Sequence, residues 1–194
     1  MFQETSRTLF FLCGRVATRT PRGAGMKWSS AASEHSSFDE ALGHVGDQIE
    51  AELNGVEPNL MMVFATPHHK SDFSSLSKRI EDRFSQATVV GCSGGGVIGN
   101  GRELEDSPGL SVTAAHLPDV EIIPFHVGSV EVEALGAKPK RWEERIGLSP
   151  DHQPCFLIMP EPFTCDARVL TSSLDRAYPN APKVGGLASG AQQP

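Results

Sequence analysis

Residues 89–99 read VVGCSGGGVIG, and the reading of that stretch decides the fold. Gly91, Gly94, Gly95 and Gly96 fall within six positions, entered by two valines. Two enzyme motifs overlap here. Gly94-x-Gly96-x-x-Gly99 fits the dinucleotide fingerprint, whose third glycine opens a helix so that backbone N–H groups meet a pyrophosphate. Gly91-x-Ser93-x-Gly95 fits the nucleophile elbow, in which a helix follows the serine and an acid and a histidine lie downstream. Neither motif finds its helix. Asn100 to Pro108 is polar and acidic with little apolar periodicity, and reads as a loop. The downstream pair, Asp151 and His152, is adjacent and loop-like. No Lys-Ser or Lys-Thr follows the glycines, which excludes a Walker A site. Two readings remain. Glycine lets a backbone approach a small ligand closely and leaves N–H donors for carboxylate or phosphate oxygens. The bland alternative is a tight turn whose glycines supply positive φ.

Working outward, Leu60 to Ala65 is a continuous apolar run, consistent with a buried strand, and ends at Thr66-Pro67-His68-His69. Phe73, Leu76, Ile80 and Phe84 then mark a helix capped by Ser71 or Asp72, and Ala87 to Val90 is a strand entering the glycine loop. This order recurs. Sliding 63–96 onto 157–190 sets Asp72 on Asp166, Leu76 on Leu170, Ala87 on Ala181, Val90 on Val184, Gly91 on Gly185 and Gly96 on Gly190. Two such units place both glycine loops at carboxyl ends of strands, where open α/β sheets bind ligands.

Elsewhere, Lys27 to Ser33 is a strand. Ser37 and Glu40 form a capping box for an amphipathic helix over 38–53, which Asn54-Gly55 stops. Residues 110–127, with a Pro118-Asp119 turn, read as an antiparallel hairpin. Residues 128–153 hold one helix near Trp142, and Trp142 and Phe163 read as core. The expected fold is α/β: a layered mixed sheet with flanking helices, two βαβ-like repeats and an inserted antiparallel hairpin.

The totals bound the function. A chain of 194 residues suits one domain, and a net charge of −7 argues against electrostatic nucleic-acid binding. No apolar run approaches the roughly 18 residues of a membrane span. Cys13, Cys92, Cys155 and Cys165 show no CxxC spacing, so neither zinc nor a disulfide framework is expected. His68 and His69 are adjacent and on an extended chain point apart, against a shared metal. Cys92, at an apolar strand end, reads as a small buried residue rather than a nucleophile. Residues 1–25 carry Arg7, Arg15, Arg19 and Arg22 against Glu4, around the apolar run Leu9-Phe10-Phe11-Leu12. They read as an organellar transit peptide, as a disordered extension, or as sequence upstream of a start at Met26. The first implies a chloroplast or mitochondrial location and the others a cytoplasmic one. The folded region is expected to begin at Met26.

From Met26 the chain resembles the FIST N-terminal domain, a module of bacterial sensory proteins and some eukaryotic F-box proteins. The similar stretches are residues 26–31 (MKWSSA), 64–69 (FATPHH), 91–99 (GCSGGGVIG), 124–126 (PFH), 160–163 (PEPF) and 184–190 (VGGLASG). The resemblance implies a small-ligand sensor for amino acids or related metabolites, with no catalytic residue, metal or cofactor to carry over. It also implies that 26–194 is such a domain cut short at its C-terminus. The ligand site would be built from Pro67, His68, His69, Cys92, Ser93, Gly94, Gly95, Gly96, Gly185, Gly186 and Ser189. The expected partner is a small molecule, with no nucleic acid and no membrane. Ubiquitin-ligase or signalling partners are the alternative, and a serine esterase using Ser93 is a third reading.

Overall fold

A computed structural model describes residues 8–13 and 25–190. Two four-stranded sheets form its frame. In the first, β2 (Lys27–Ser33), β7 (Leu110–His116), β3 (Leu60–Ala65) and β4 (Thr88–Ser93) lie in that order. In the second the order is β8 (Ile122–Val127), β1 (Thr8–Cys13), β9 (Cys155–Met159) and β10 (Lys183–Gly185). A two-stranded hairpin, β5 (Gly96–Gly99) with β6 (Arg102–Glu105), stands apart.

Strand alternation sorts the side chains into layers. Met61, Val63 and Ala65 face helices α1 (Phe38–Leu53) and α2 (Phe73–Arg83), joining Val45, Ile49, Leu76 and Ile80 in one core. Leu60, Met62 and Phe64, on the opposite face of β3, meet Leu157 and Met159 of β9, so the sheets pack face to face. Beyond the second sheet, Phe125, Phe156 and Ile158 pack on α3 (Ser129–Gly136), α4 (Lys140–Ile146) and α5 (Ala167–Ala177). The result is four layers: helices, sheet, sheet, helices. Trp142 is fully buried and donates its indole N–H to Ser173 Oγ at 2.6 Å, as a core residue should. Phe163, also expected in the core, is instead 47% exposed.

The repeat read from the sequence is structural. β3 pairs parallel with β4, and β9 parallel with β10, each pair joined by one helix. Phe84 N–H donates to Ile80 O at 2.8 Å where α2 ends, and Tyr178 N–H to Leu174 O at 2.7 Å where α5 ends. Gly91 lies opposite Val63, and a β-carbon there would sit 1.7 Å from the Val63 carbonyl oxygen. Gly185 lies opposite Ile158, and a β-carbon there would sit 1.8 Å from the Ile158 carbonyl oxygen. Asp166 caps α5 by accepting from Arg168 N and Val169 N, whereas its counterpart Asp72 is engaged by Arg79 and Ser71.

Three placements differ from expectation. Residues 110–127 are not a hairpin: β7 pairs with β2 and β3, while β8 pairs with β1 in the other sheet. Pro118-Asp119 makes the local turn, but partner choice is tertiary. An antiparallel hairpin lies earlier: β5 ends the glycine stretch, and the turn and β6 fall in the stretch read as an acidic loop. Asn100 and Gly101 both take positive φ, 48° and 71°, as an Asn-Gly hairpin turn requires. Finally, six residues ahead of Met26 belong to the fold, since β1 lies between β8 and β9 and antiparallel to both.

Gly91→Ala or Gly185→Ala should therefore destabilise the protein by more than about 2 kcal/mol, because backbone must move to admit the methyl group. Gly43→Ala, in α1 with no atom near its added β-carbon, should instead stabilise by roughly 0.5–1 kcal/mol. Urea unfolding of the three variants checks the contrast.

Candidate functional site

The carboxyl ends of β3, β4 and β10 converge. After β3 the chain enters a 3₁₀ turn, Pro67–Asp72, with Pro67 at its first position. Thr66, fully buried, fixes the entry to this turn. Its hydroxyl donates to Ser107 O at 3.0 Å and accepts from Gly109 N at 2.9 Å. His68 is exposed, with Nδ1 3.3 Å from Thr66 Oγ1. Beside it, Gly94 N–H donates to Ala65 O at 3.0 Å and binds the first glycine loop to the end of β3.

The two glycine loops touch. Gly190 N–H donates to Ser93 O at 3.1 Å, and Gly95 N–H donates to Ser189 Oγ at 3.1 Å. Gly190 sits so close to Ser93 that a β-carbon would lie 2.6 Å from the serine Cβ and Oγ. Within the second loop, Gly186 N–H reaches Ile158 O at 3.2 Å and Ala188 N–H reaches Pro160 O at 3.0 Å. The last contact repeats Gly94 to Ala65 in the other unit. These donors, which the sequence offers to an anionic ligand, are used by the chain itself. The glycines serve close packing of two loops.

Pro67, His68, Ser93, Gly94, Gly95, Gly96, Gly185, Gly186 and Ser189 thus lie on the loops that meet at this end of the sheets. His69 and Cys92 point elsewhere. His69 is 1% exposed, packs edge-on against Phe38 with ring centroids 5.5 Å apart, and has no hydrogen-bond partner at Nε2. Burial holds its pKa below the ordinary 6.5, with exposed His68 adding to the effect and Asp72 opposing it. Cys92 lies in the layer between the sheets, where burial pushes its thiol up to about 11. A thiol so protonated is a poor nucleophile. Ser93 is the last residue of β4, and strand β5 begins three residues later, so the helix of a nucleophile elbow does not follow it. Among the described residues no cluster of three or more His, Cys, Asp or Glu side chains could hold a metal ion.

An open depression of about 510 Å³ adjoins the second loop. Its lining includes Pro162, Phe163, Asp166, Arg168 and Leu187. Phe163 and Leu187 are 47% and 58% exposed. Sequence reasoning assigned Phe163 to the core and gave Leu187 no role. The available signal was the repeat: a proline follows the end of each first strand, Pro67 two residues after β3 and Pro162 three residues after β9.

His69 gives the fold a pH dependence. The unfolded chain binds a proton on this histidine more readily than the folded one, so the stability that neutral His69 contributes is fully present above pH 6.5 and is lost as pH drops through the window below it. His69→Phe, which keeps the ring contact with Phe38, should flatten that decline in urea midpoints measured at about pH 7.5 and about pH 5.5. Cys92 should react with iodoacetamide at pH 8 far more slowly than a free thiol, and denaturation should restore the reaction.

A family model described as the FIST N domain matches residues 59–194. Two uncharacterized proteins of Mycobacterium tuberculosis are similar: MT0656 of strain CDC 1551 / Oshkosh and Rv0628c of strain H37Rv. Each is 24% identical over 169 residues, covering 87% of this chain and 41% of the relative. The chain therefore spans about two fifths of the length of the curated relatives it matches. No solved structure matches it significantly. Among the described residues no helix is long and apolar enough to cross a membrane.

Proposed function

The chain belongs to the FIST N domain family, and from that premise we propose that it is a sensory module whose ligand is a small molecule. Family membership supports a signalling or sensory role. The observation that carries the site is the meeting of the two glycine loops, Ser93–Gly96 and 185–190, beside an open depression. Pro67 and His68 border the first loop; Phe163 and Leu187 present apolar surface beside the second. Asp166 and Arg168 supply charges of both signs on the same wall. Such a surface suits a zwitterion with an apolar body, and an amino acid or related metabolite is the class we favour. A reacting site is less well supported, because Ser93 lacks the following helix of an elbow and Cys92 is held as a thiol.

Binding to the folded state raises its stability by RT ln(1 + [L]/Kd), about 2.7 kcal/mol at a hundredfold excess over Kd. A thermal-shift panel of amino acids and phosphorylated metabolites should therefore raise the melting temperature with at least one compound. Leu187→Asp, at an exposed position, should remove that shift without lowering the melting temperature of the free protein. Absence of a shift with every compound would contradict the proposal.

A further inference from the structure

Two of the four cysteines meet across a strand ladder. β1 and β9 run antiparallel, and their register sets Cys13, the last residue of β1, opposite Cys155, the first residue of β9. Residues directly opposite in such a pair have α-carbons about 4.5 or about 5.5 Å apart, according to the bonding position they occupy. A disulfide spans α-carbon separations of about 4.4–6.8 Å, so either position admits one. Cysteine spacing along the chain does not announce the pair: 155 − 13 = 142 positions separate the two residues, and the sheet brings them together. The other two cysteines have no such neighbour in the described ladders. Cys92 lies opposite Phe64 on β3. Cys165 is buried between β9 and α5, its N–H donating to Glu161 O at 3.0 Å. Cys155 is half-buried and stands at the end of its ladder, where a small oxidant can reach it.

We propose that Cys13 and Cys155 are a redox-sensitive modification site, a pair that closes to a cross-strand disulfide by exchange with a low-molecular-weight disulfide such as oxidised glutathione. The Cys155 thiolate attacks one sulfur of that oxidant, forming a mixed disulfide and releasing one glutathione thiolate. The Cys13 thiolate then attacks the Cys155 sulfur, forming the protein disulfide and releasing the second glutathione thiolate. Two protein thiols are oxidised, one small disulfide is reduced to two thiols, and the two protein protons pass to solvent or to the departing thiolates. Closing so long a loop restricts the unfolded chain, which is where a cross-link acts on stability. In the folded protein the bond fastens β1 to the strand that leads, through Pro162 and Phe163, into the wall of the depression. Reduction returns β1 to its hydrogen-bonded ladders with β8 and β9.

The test treats the full chain with oxidised glutathione at about pH 8, where thiolates form. Remaining thiols are then blocked with N-ethylmaleimide, and the protein is digested with trypsin and chymotrypsin, which cut between Cys155 and Cys165 after Phe156 and Phe163. Mass spectrometry should find the peptide of Cys13 joined to that of Cys155, in a protein lighter than the reduced form by two hydrogens. The oxidised protein should melt at least about 4 °C above the reduced one. Cys13→Ser and Cys155→Ser should each lose the cross-link and the shift, the Cys13 variant holding glutathione on Cys155, while Cys92→Ala should keep both. A cross-link that includes Cys92 or Cys165, or that joins two copies of the chain, would overturn the proposal. So would a parent protein that stays reduced, or one that holds glutathione on Cys155 without the second exchange.

Discussion

No β-carbon fits at Gly91 or at Gly185, and much of the architecture depends on that. At each position the second strand of a parallel pair runs so close to the first that the carbonyl of Val63 or Ile158 occupies the side-chain volume. Any other residue would push β4 from β3, or β10 from β9. With the strands held close, the two loops that follow leave the sheets side by side, and Gly190 can lie against Ser93. The same steric condition, met twice, makes the molecule a pair of similar units rather than one unit with appendages.

The units differ in what lies over their strand ends. In the first, Thr66 draws in the segment at Ser107 and Gly109, and Val97 and Leu104 of the hairpin pack with Ala32 and Phe64. In the second, Phe163 and Leu187 face the open depression. The asymmetry leaves Phe163 and Leu187 exposed at that end of the second unit. A clamp on the far side keeps the first unit's helices in register: Arg83 crosses α1 at Gly46, donating to Glu50 and Asp47, and those carboxylates raise its pKa. A side chain at Gly46 would occupy the space of that guanidinium.

Local patterns in the sequence located what local forces decide. The helix over 38–53 and the strand over 60–65 have the bounds expected of them, because apolar spacing, the Ser37 cap and the Asn54 stop act within a few residues. The offset repeat was legible for the same reason, since Asp, Leu and Gly recur at fixed distances. Strand partnership was not. Pro118-Asp119 suggests that 110–116 and 122–127 fold on each other, yet the first pairs with β2 and β3 and the second with β1 in the other sheet. The Asn100-Gly101 turn was a readable hairpin signal, masked by strands of only four residues, one glycine-flanked and the other the charged run RELE. Composition also misled: four arginines around Leu9–Leu12 suggested a segment outside the fold, while the apolar run itself has strand character. His69 and Cys92 joined the expected site because they adjoin loop residues in sequence, but a 3₁₀ turn and strand alternation direct them inward.

Contact between the glycine loops holds the two units together at their strand ends, and amide hydrogen exchange at Gly95 and Gly190, followed by NMR, reads that contact out. Both N–H groups donate across from one loop to the other, to Ser189 Oγ and Ser93 O. Both should exchange much more slowly than in an unstructured peptide and slow down or speed up together when either loop is altered. Exchange of both at the free-peptide rate would contradict it.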